Sequence, residues 1–577
     1  MIRFNLKRKK NFFNDKRLFF LCVCFVLITL IIAMRLFILQ IIRGEDYRKM
    51  AAGRHNIYAE IQPERGEVYV QEHNSATLYP VAVNKITYLV YAEPSKIQNK
   101  TMAAHSLASY LDLDEKELIK TLNKNDPYEP LAHYVPAEIA DKIKALGLLG
   151  VGFQEEKKRV YPEKGFGGQV LGFLGYNDNV LGGKYGIEGY FDDELFGRSG
   201  YLRGEKDALG RLIPRADRRV EKATDGIDLI LTIDRGVQFC ICGKIKEAVE
   251  RFGAEGGTVV VMEPSTGKIL GLCSYPDYDP NNYSKVKNQN IFNIPAIFNQ
   301  YEPGSIFKPI TMAAAIDAKL VSPETTYEDT GSVFIKPHTI KNSDEKANGT
   351  QTMVQVFEKS LNTGAVYLVK LLGAAKFREY VEKFGFGKLT GIELDKEAMG
   401  DIFSLKKKGE IWSATASFGQ GIAVTPIQML NAFNAIINGG KLMKPYSVDK
   451  KNYGDGGQES IQPQIIREVI SSRSSTLMRG MLANVVENGH GKKAGVKGYY
   501  VGGKTGTAQV PKKGGGYEEG KNIGSFVGFA PVDNPVFSMI VKIDGPKNVQ
   551  WAESSAAPVF GEIAEYLLQY YKIAPER

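Results

Sequence analysis

Histidine is scarce in this chain, six in 577 residues, and cysteine is scarcer still, with five. After residue 222 only His338 and His490 remain, and neither has an evident partner, so a Ser-His-Asp triad is a poor candidate here. Five cysteines are too few for a disulfide framework. Cys22 and Cys24 fall in an apolar run, while Cys240, Cys242 and Cys273 lie in apolar segments and are expected as small core residues, an odd remainder with no pairing to defend. Cys240 and Cys242, two apart on an expected helix, do not face each other. No histidine cluster completes a metal site, so neither a metal nor a cofactor is expected. A strong charge of one sign is also missing. The net charge of +9 is modest and partly concentrated at the N-terminus, which favours a membrane surface over nucleic acid.

What is present is length and order. A chain of 577 residues is too long for one ordinary core and predicts two or three domains. Residues 1–17 carry seven basic side chains against the single acid Asp15 and read as a basic cytoplasmic tail. Leu18 to Met34 follows without a charge, and with Arg35 able to snorkel the run continues to Leu39, long enough to cross a hydrocarbon core of roughly 30 Å. The basic flank predicts a single-pass membrane protein with its N-terminus in the cytoplasm and everything after about residue 40 outside. A cleavable signal peptide is the competing reading; the length of the run and the lack of a small-x-small site after it speak against that.

Residues 40–222 show a mixed pattern, with a β-like run at Ile86–Ala92 and a helical pair between Met102 and Asn123. Gly165-Phe166-Gly167-Gly168 is glycine-rich but not in dinucleotide-binding register, and reads as loop. Tyr201–Thr224 is dense in charge and reads as a linker or surface hairpin. A second domain, 223–577, opens with the strand Asp228–Asp234, the helical pattern Gln238–Phe252 and a hairpin across Glu263-Pro264-Ser265-Thr266-Gly267. Strands at Phe526–Phe529 and Val536–Ile543 and a helix at Pro558–Tyr571 close the chain. Strands, helices, strands and a final helix predict an α+β domain with an antiparallel sheet.

Three short patterns in this second domain carry chemistry. Ser305 and Lys308 stand one turn apart at the mouth of an apolar helix, a nucleophile beside a base once burial has made the amine neutral. Pro309 places Ser305 very near the helix terminus. The pattern itself is common, since Ser265/Lys268, Ser284/Lys287, Ser343/Lys346, Ser404/Lys407 and Ser447/Lys450 match it in polar surroundings. Ser360-Leu361-Asn362 interrupts an apolar pattern with polar groups that need partners or a task, a helix cap being the plain alternative. Gly498 to Thr505 spells the phosphate-binding pattern GxxxxGKT, but Gly506, Thr507, Val510 and Pro511 follow where a helix should begin. The stretch reads instead as a strand displaying Lys504, Thr505 and Thr507 at an edge.

In this fixed order, Ser305-x-x-Lys308, Ser360-x-Asn362 and Lys504-Thr505-Gly506-Thr507 resemble the motif set of penicillin-binding proteins and serine β-lactamases. Tyr161-Pro162, Gly186-Ile187-Glu188, Leu231-Thr232-Ile233-Asp234, Phe384-Gly385-Phe386-Gly387 with Thr390-Gly391, and Gly419-Gln420-Gly421-Ile422 with Thr425-Pro426 extend the resemblance to the class B, monofunctional members. The stretch Trp412–Gln428 looks closer to the cell-division type than to the elongation type. The resemblance implies a β-lactamase-like transpeptidase domain on an N-terminal pedestal, cross-linking peptidoglycan stem peptides that end in D-Ala-D-Ala, with β-lactams as inhibitors. It gives Ser305 the role of nucleophile, Lys308 that of proton acceptor, and Ser360 and Asn362 proton relay and substrate orientation. Lys504, Thr505 and Thr507 would bind the terminal carboxylate, and the backbone N–H groups of Ser305 and Thr507 would form an oxyanion hole. Partners implied by family are a membrane glycosyltransferase and proteins of a division or elongation complex. Arg65-Gly66-Glu67-Val68-Tyr69 only partly follows the family's stretch near the membrane, with Val70 and Gln71 in place of its Asp-Arg. An elongation-type enzyme, a carboxypeptidase or β-lactamase, a β-lactam sensor and a non-catalytic division scaffold stay open at this point.

Overall fold

The structure, a computed structural model, describes residues 16–42, 56–177, 180–205, 219–512 and 514–577. The expected basic tail therefore lies almost wholly outside the described residues. Lys16–Phe37 is α-helical and runs on into the π-helical turn Ile38–Ile42, and the apolar span Val23–Ile41 across them has a mean hydropathy of 2.5 with none of it buried. Among the described residues it alone is long and apolar enough to cross a membrane.

The chain divides into two compact units, 1–64 with 197–225, and 65–196 with 226–577. In the first, Gly200–Glu205 pairs antiparallel with both Asn56–Ile61 and Arg219–Glu221, so the charged stretch after Tyr201 is a strand pair around residues that are not described.

In the second unit a mixed sheet runs in the order Gln458–Ser460, Val448–Asn452, Asp228–Asp234, Val68–Gln71, Tyr79–Ala92, Glu129–Pro136, with Val151–Val160 also on Tyr79–Ala92. Asp228–Asp234 runs parallel to Val68–Gln71, so this sheet crosses the expected division at 222/223. Beside it, Glu188 is wholly buried under Arg65, Arg159 and Tyr161: Arg159 Nε donates to it at 2.6 Å, Arg65 Nη2 at 2.6 Å and Tyr161 O–H at 3.2 Å. Burial alone would raise the pKa of this carboxyl, but the two guanidinium groups outweigh it and hold it below its ordinary value.

The sheet that carries the site has five antiparallel strands. They are β1 (Gly256–Met262), β2 (Ile269–Tyr275), β3 (Gly502–Pro511), β4 (Tyr517–Ala530) and β5 (Phe537–Asp544), in the order β2-β1-β5-β4-β3. The GKT sequence is thus the edge strand β3, and the strand reading of that stretch holds. Helices cover both faces. On one face lie α1 (Arg235–Phe252), capped by Asp234 accepting the Val237 N–H, and the last helix, Ala556–Tyr570. On the other lies α2 (Pro426–Ile437), buried at all twelve positions, with Thr425 and Gln428 forming a capping box and Pro426 in the first turn.

Cysteine is where expectation fails. Cys242 on α1 and Cys273 on β2 form a disulfide, with Cα atoms 5.4 Å apart. The cause is close packing through glycine. A Cβ on Gly271 would lie 2.8 Å from Ile241 and one on Gly257 2.6 Å from Ile245, so the helix settles onto the hairpin and brings the two sulfurs together. Cys24 and Cys240 remain free.

Candidate active site

Ser305 sits in a single 3-10 turn, Gly304–Phe307, that feeds the α-helix Lys308–Asp317, with Pro309 tolerated in its first turn. The turn is wedged between two glycine contacts. Gly304 has φ +58°, and its N–H donates to Gly419 O at 3.1 Å. On the other side a Cβ on Gly506 would lie 2.9 Å from both Ile306 N and Pro303 O. Backbone therefore meets backbone, and the Ser305 turn is pressed against the strand that holds Lys504 to Thr507.

Lys308 is buried, and its Nζ donates to Ser360 O at 2.6 Å, Asn362 Oδ1 at 2.8 Å and Ser360 Oγ at 3.3 Å. Burial first, and the charge of Lys504 second, push its ammonium well below its ordinary pKa. Ser305 is partly exposed, and its Oγ makes no hydrogen bond among the described residues. The structure thus unites Lys308 with the Ser360-Leu361-Asn362 motif, which links the helix Met353–Glu358 to the helix Asn362–Leu372, Asn362 being the first residue of the latter. Ser360 adopts φ +54°, a left-handed conformation uncommon for a residue with a Cβ.

Asn362 is aimed by a network that the sequence did not announce. Its N–H donates to Asn342 Oδ1 at 3.0 Å and its Nδ2 to Lys341 O at 2.9 Å. Asn342 Nδ2 and Thr363 Oγ1 in turn donate to Asp329. Burial would raise the pKa of Asp329, but hydrogen bonds from Thr363, Asn348 and Asn342 keep it below its ordinary value. Asp329 ends the strand Thr326–Asp329 and Asn342 directly follows the strand His338–Lys341, both outside the motif in sequence.

Lys504 departs from expectation: it is fully buried, not displayed at the strand edge. Its register partner is Val527, which faces the larger core, so strand alternation turns Lys504 inward. Burial lowers it to about 7, and among the described residues its Nζ donates only to Thr505 O at 3.1 Å and Thr505 Oγ1 at 3.4 Å. Thr507 Oγ1 accepts the Ala552 N–H at 3.0 Å, which leaves its own hydrogen to donate. Ser525 Oγ donates to Gly506 O at 3.1 Å from the neighbouring strand. An inward cation and two threonine hydroxyls on an edge strand suit an anionic, extended ligand.

The profile described as "Penicillin binding protein transpeptidase domain" matches residues 257–565, and that described as "Penicillin-binding Protein dimerisation domain" matches residues 60–231. The chain is 36% identical over 580 residues to Stage V sporulation protein D of Bacillus subtilis, covering 99% of this chain and 88% of that one. It is 28% identical to peptidoglycan D,D-transpeptidase FtsI of Escherichia coli, covering 98% and 93%. Penicillin Binding Protein 2X from Streptococcus thermophilus has the same fold, with TM-score 0.76 and 23% identity over 89% of this chain and 80% of that one. The motif order, the antiparallel sheet between two helical layers, and full-length similarity to these relatives agree: the chain belongs to the class B penicillin-binding proteins, a transpeptidase domain joined to a dimerisation pedestal.

Proposed function

We propose that this protein is a peptidoglycan D,D-transpeptidase in which Ser305 is the acylated nucleophile. The observation that carries the reading is Lys308, buried, held below its ordinary pKa and hydrogen-bonded to both Ser360 and Asn362 one turn from Ser305. Lys308 takes the Ser305 proton as Oγ attacks the carbonyl of the penultimate D-alanine. The backbone N–H groups of Ser305 and Thr507 hold the oxyanion, one such donor lowering the barrier by about 3 kcal/mol. Ser360 relays the proton to the leaving nitrogen as the peptide C–N bond breaks and D-alanine departs. An acceptor amine then attacks the acyl ester, the ester C–O bond breaks, and Ser305 recovers its proton. Lys504, Thr505 and Thr507 bind the substrate's terminal carboxylate, and Asn362 orients its amide.

We assign residues 1–17 to the cytoplasm, 18–39 to a transmembrane helix, 40–222 to the pedestal and 223–577 to the transpeptidase domain, working in septal wall synthesis beside a membrane glycosyltransferase. The test is intact mass of the detergent-solubilised chain after exposure to a fluorescent penicillin. A single stable adduct that disappears in Ser305→Ala is expected. An adduct that survives Ser305→Ala, or none on a folded chain, would refute the assignment.

A further inference from the structure

Three residues before Ser305, Glu302 lies half-buried at the start of the nucleophile's turn. Among the described residues no cation pairs with it. Its Oε1 accepts the Gly421 N–H at 2.8 Å and its Oε2 accepts the Tyr517 O–H at 3.0 Å. Those two donors come from opposite walls. Gly421 belongs to the loop whose Gly419 packs so tightly on Gly304 that a Cβ there would lie 2.2 Å from Gly304 O. Tyr517 opens β4, pairs with Pro511 across the hairpin, and so sits at the far end of the ribbon whose other strand carries Lys504, Thr505 and Thr507. Just before Glu302, Tyr301 pairs with Val424 through N–H···O bonds of 3.0 and 2.9 Å, anchoring the same turn to the first wall again.

From this arrangement we infer that Glu302 is a positioning residue for acyl transfer, a single carboxylate that fastens the Ser305 turn to the 419–421 loop and to the β3–β4 hairpin at once. The turn has no other side-chain hydrogen bond to the hairpin among the described residues; its remaining contacts with β3 are close packing at Gly304 and Gly506, in which Ile306 and Ala508 also take part. With Glu302 in place the gap between Ser305 and the β3 edge has a fixed width. Without it the hairpin is free to lift, and misplacing a reacting atom by about 1 Å can slow a reaction about 100-fold. The inference rests on Ser305 being the nucleophile.

The experiment is stopped-flow acylation of the solubilised full chain by a fluorescent penicillin, separating the non-covalent dissociation constant from the acylation rate constant at saturation. Glu302→Ala should lower the rate constant about 10- to 100-fold with the dissociation constant within about threefold. Glu302→Gln, whose amide oxygen can accept from Gly421 and whose amide N–H can bond Tyr517, should recover to within about threefold of the parent. Tyr517→Phe, which removes one tie and keeps the ring, should fall between the two. An unchanged rate constant in Glu302→Ala, or in Tyr517→Phe should Glu302→Ala not fold, would overturn the inference. So would a folded Glu302→Gln as slow as Glu302→Ala. A parent chain that forms no adduct, or an adduct that persists in Ser305→Ala, instead refutes the nucleophile itself.

Discussion

Lys308 and Lys504 are buried lysines with no carboxylate within ion-pair reach among the described residues, and their two protonation states pull the reaction in opposite directions. In the proposed mechanism Lys308 serves as a base only when neutral, so acylation should rise with pH as it loses its proton. Lys504 attracts a carboxylate only while charged, and burial brings it to about 7. The rate of acylation by benzylpenicillin against pH should therefore be bell-shaped, with its alkaline limb setting in near pH 7. A rate that climbs unbroken to pH 9 would count against Lys504 as the carboxylate's partner. Stability follows the other sign. Lys504's folded pKa lies below its ordinary value of 10.5, so between about pH 7 and that value the unfolded chain holds a proton the folded chain has released. Stability accordingly increases with pH across that window, which a series of urea melts would reveal.

At the scale of elements, the site depends on a strand and a turn that meet at glycine, with no room for a side chain on Gly506. Gly506→Ala would drive a methyl group into Ile306 N and Pro303 O, both 2.9 Å from its ideal position, and neither backbone atom can rotate away. The expected result is a stability loss of about 1–3 kcal/mol with acylation slowed more than about tenfold, read from a melt and a penicillin time course on the same sample. A variant of parental rate would show that the turn has slack. These elements were largely legible. Ser305 beside Lys308, the polar break at Ser360 and Asn362, and the strand at Lys504 could all be read because each motif is short and interrupts an apolar or alternating pattern. Inward-facing Lys504 was not, because alternation tells which residues share a face but not which face the core covers. Asp329 and Asn342 were missed for another reason: they reach Asn362 and Thr363 across separations of 20 to 34 residues, and no local pattern records such a meeting.

Over the whole chain, the second unit is fastened by Glu188, whose neighbours Arg65 and Arg159 come from sequence positions 123 and 29 residues away. The family-like patterns singled out Glu188, Tyr161 and Arg65, but not Arg159, nor that the guanidinium groups meet Glu188 and make a wholly buried carboxylate tolerable. Glu188→Ala would strand the buried Arg159, leave Arg65 with Asp192 as its ion-pair partner, and should cost about 3–5 kcal/mol, seen as a lower urea midpoint, while acylation below the melting temperature stays at the parental rate. The bond between Cys242 and Cys273 bears on a different matter, the compartment in which folding finishes. Thiols in a bacterial cytoplasm are kept reduced, so with the outward orientation proposed above the bond closes only after the chain has been exported. Each finished molecule thereby carries a chemical record of its journey across the membrane. If cells are quenched in acid and alkylated with a maleimide, exported chains should take up two labels fewer than chains held inside, a difference that gives membrane topology without any fusion or tag.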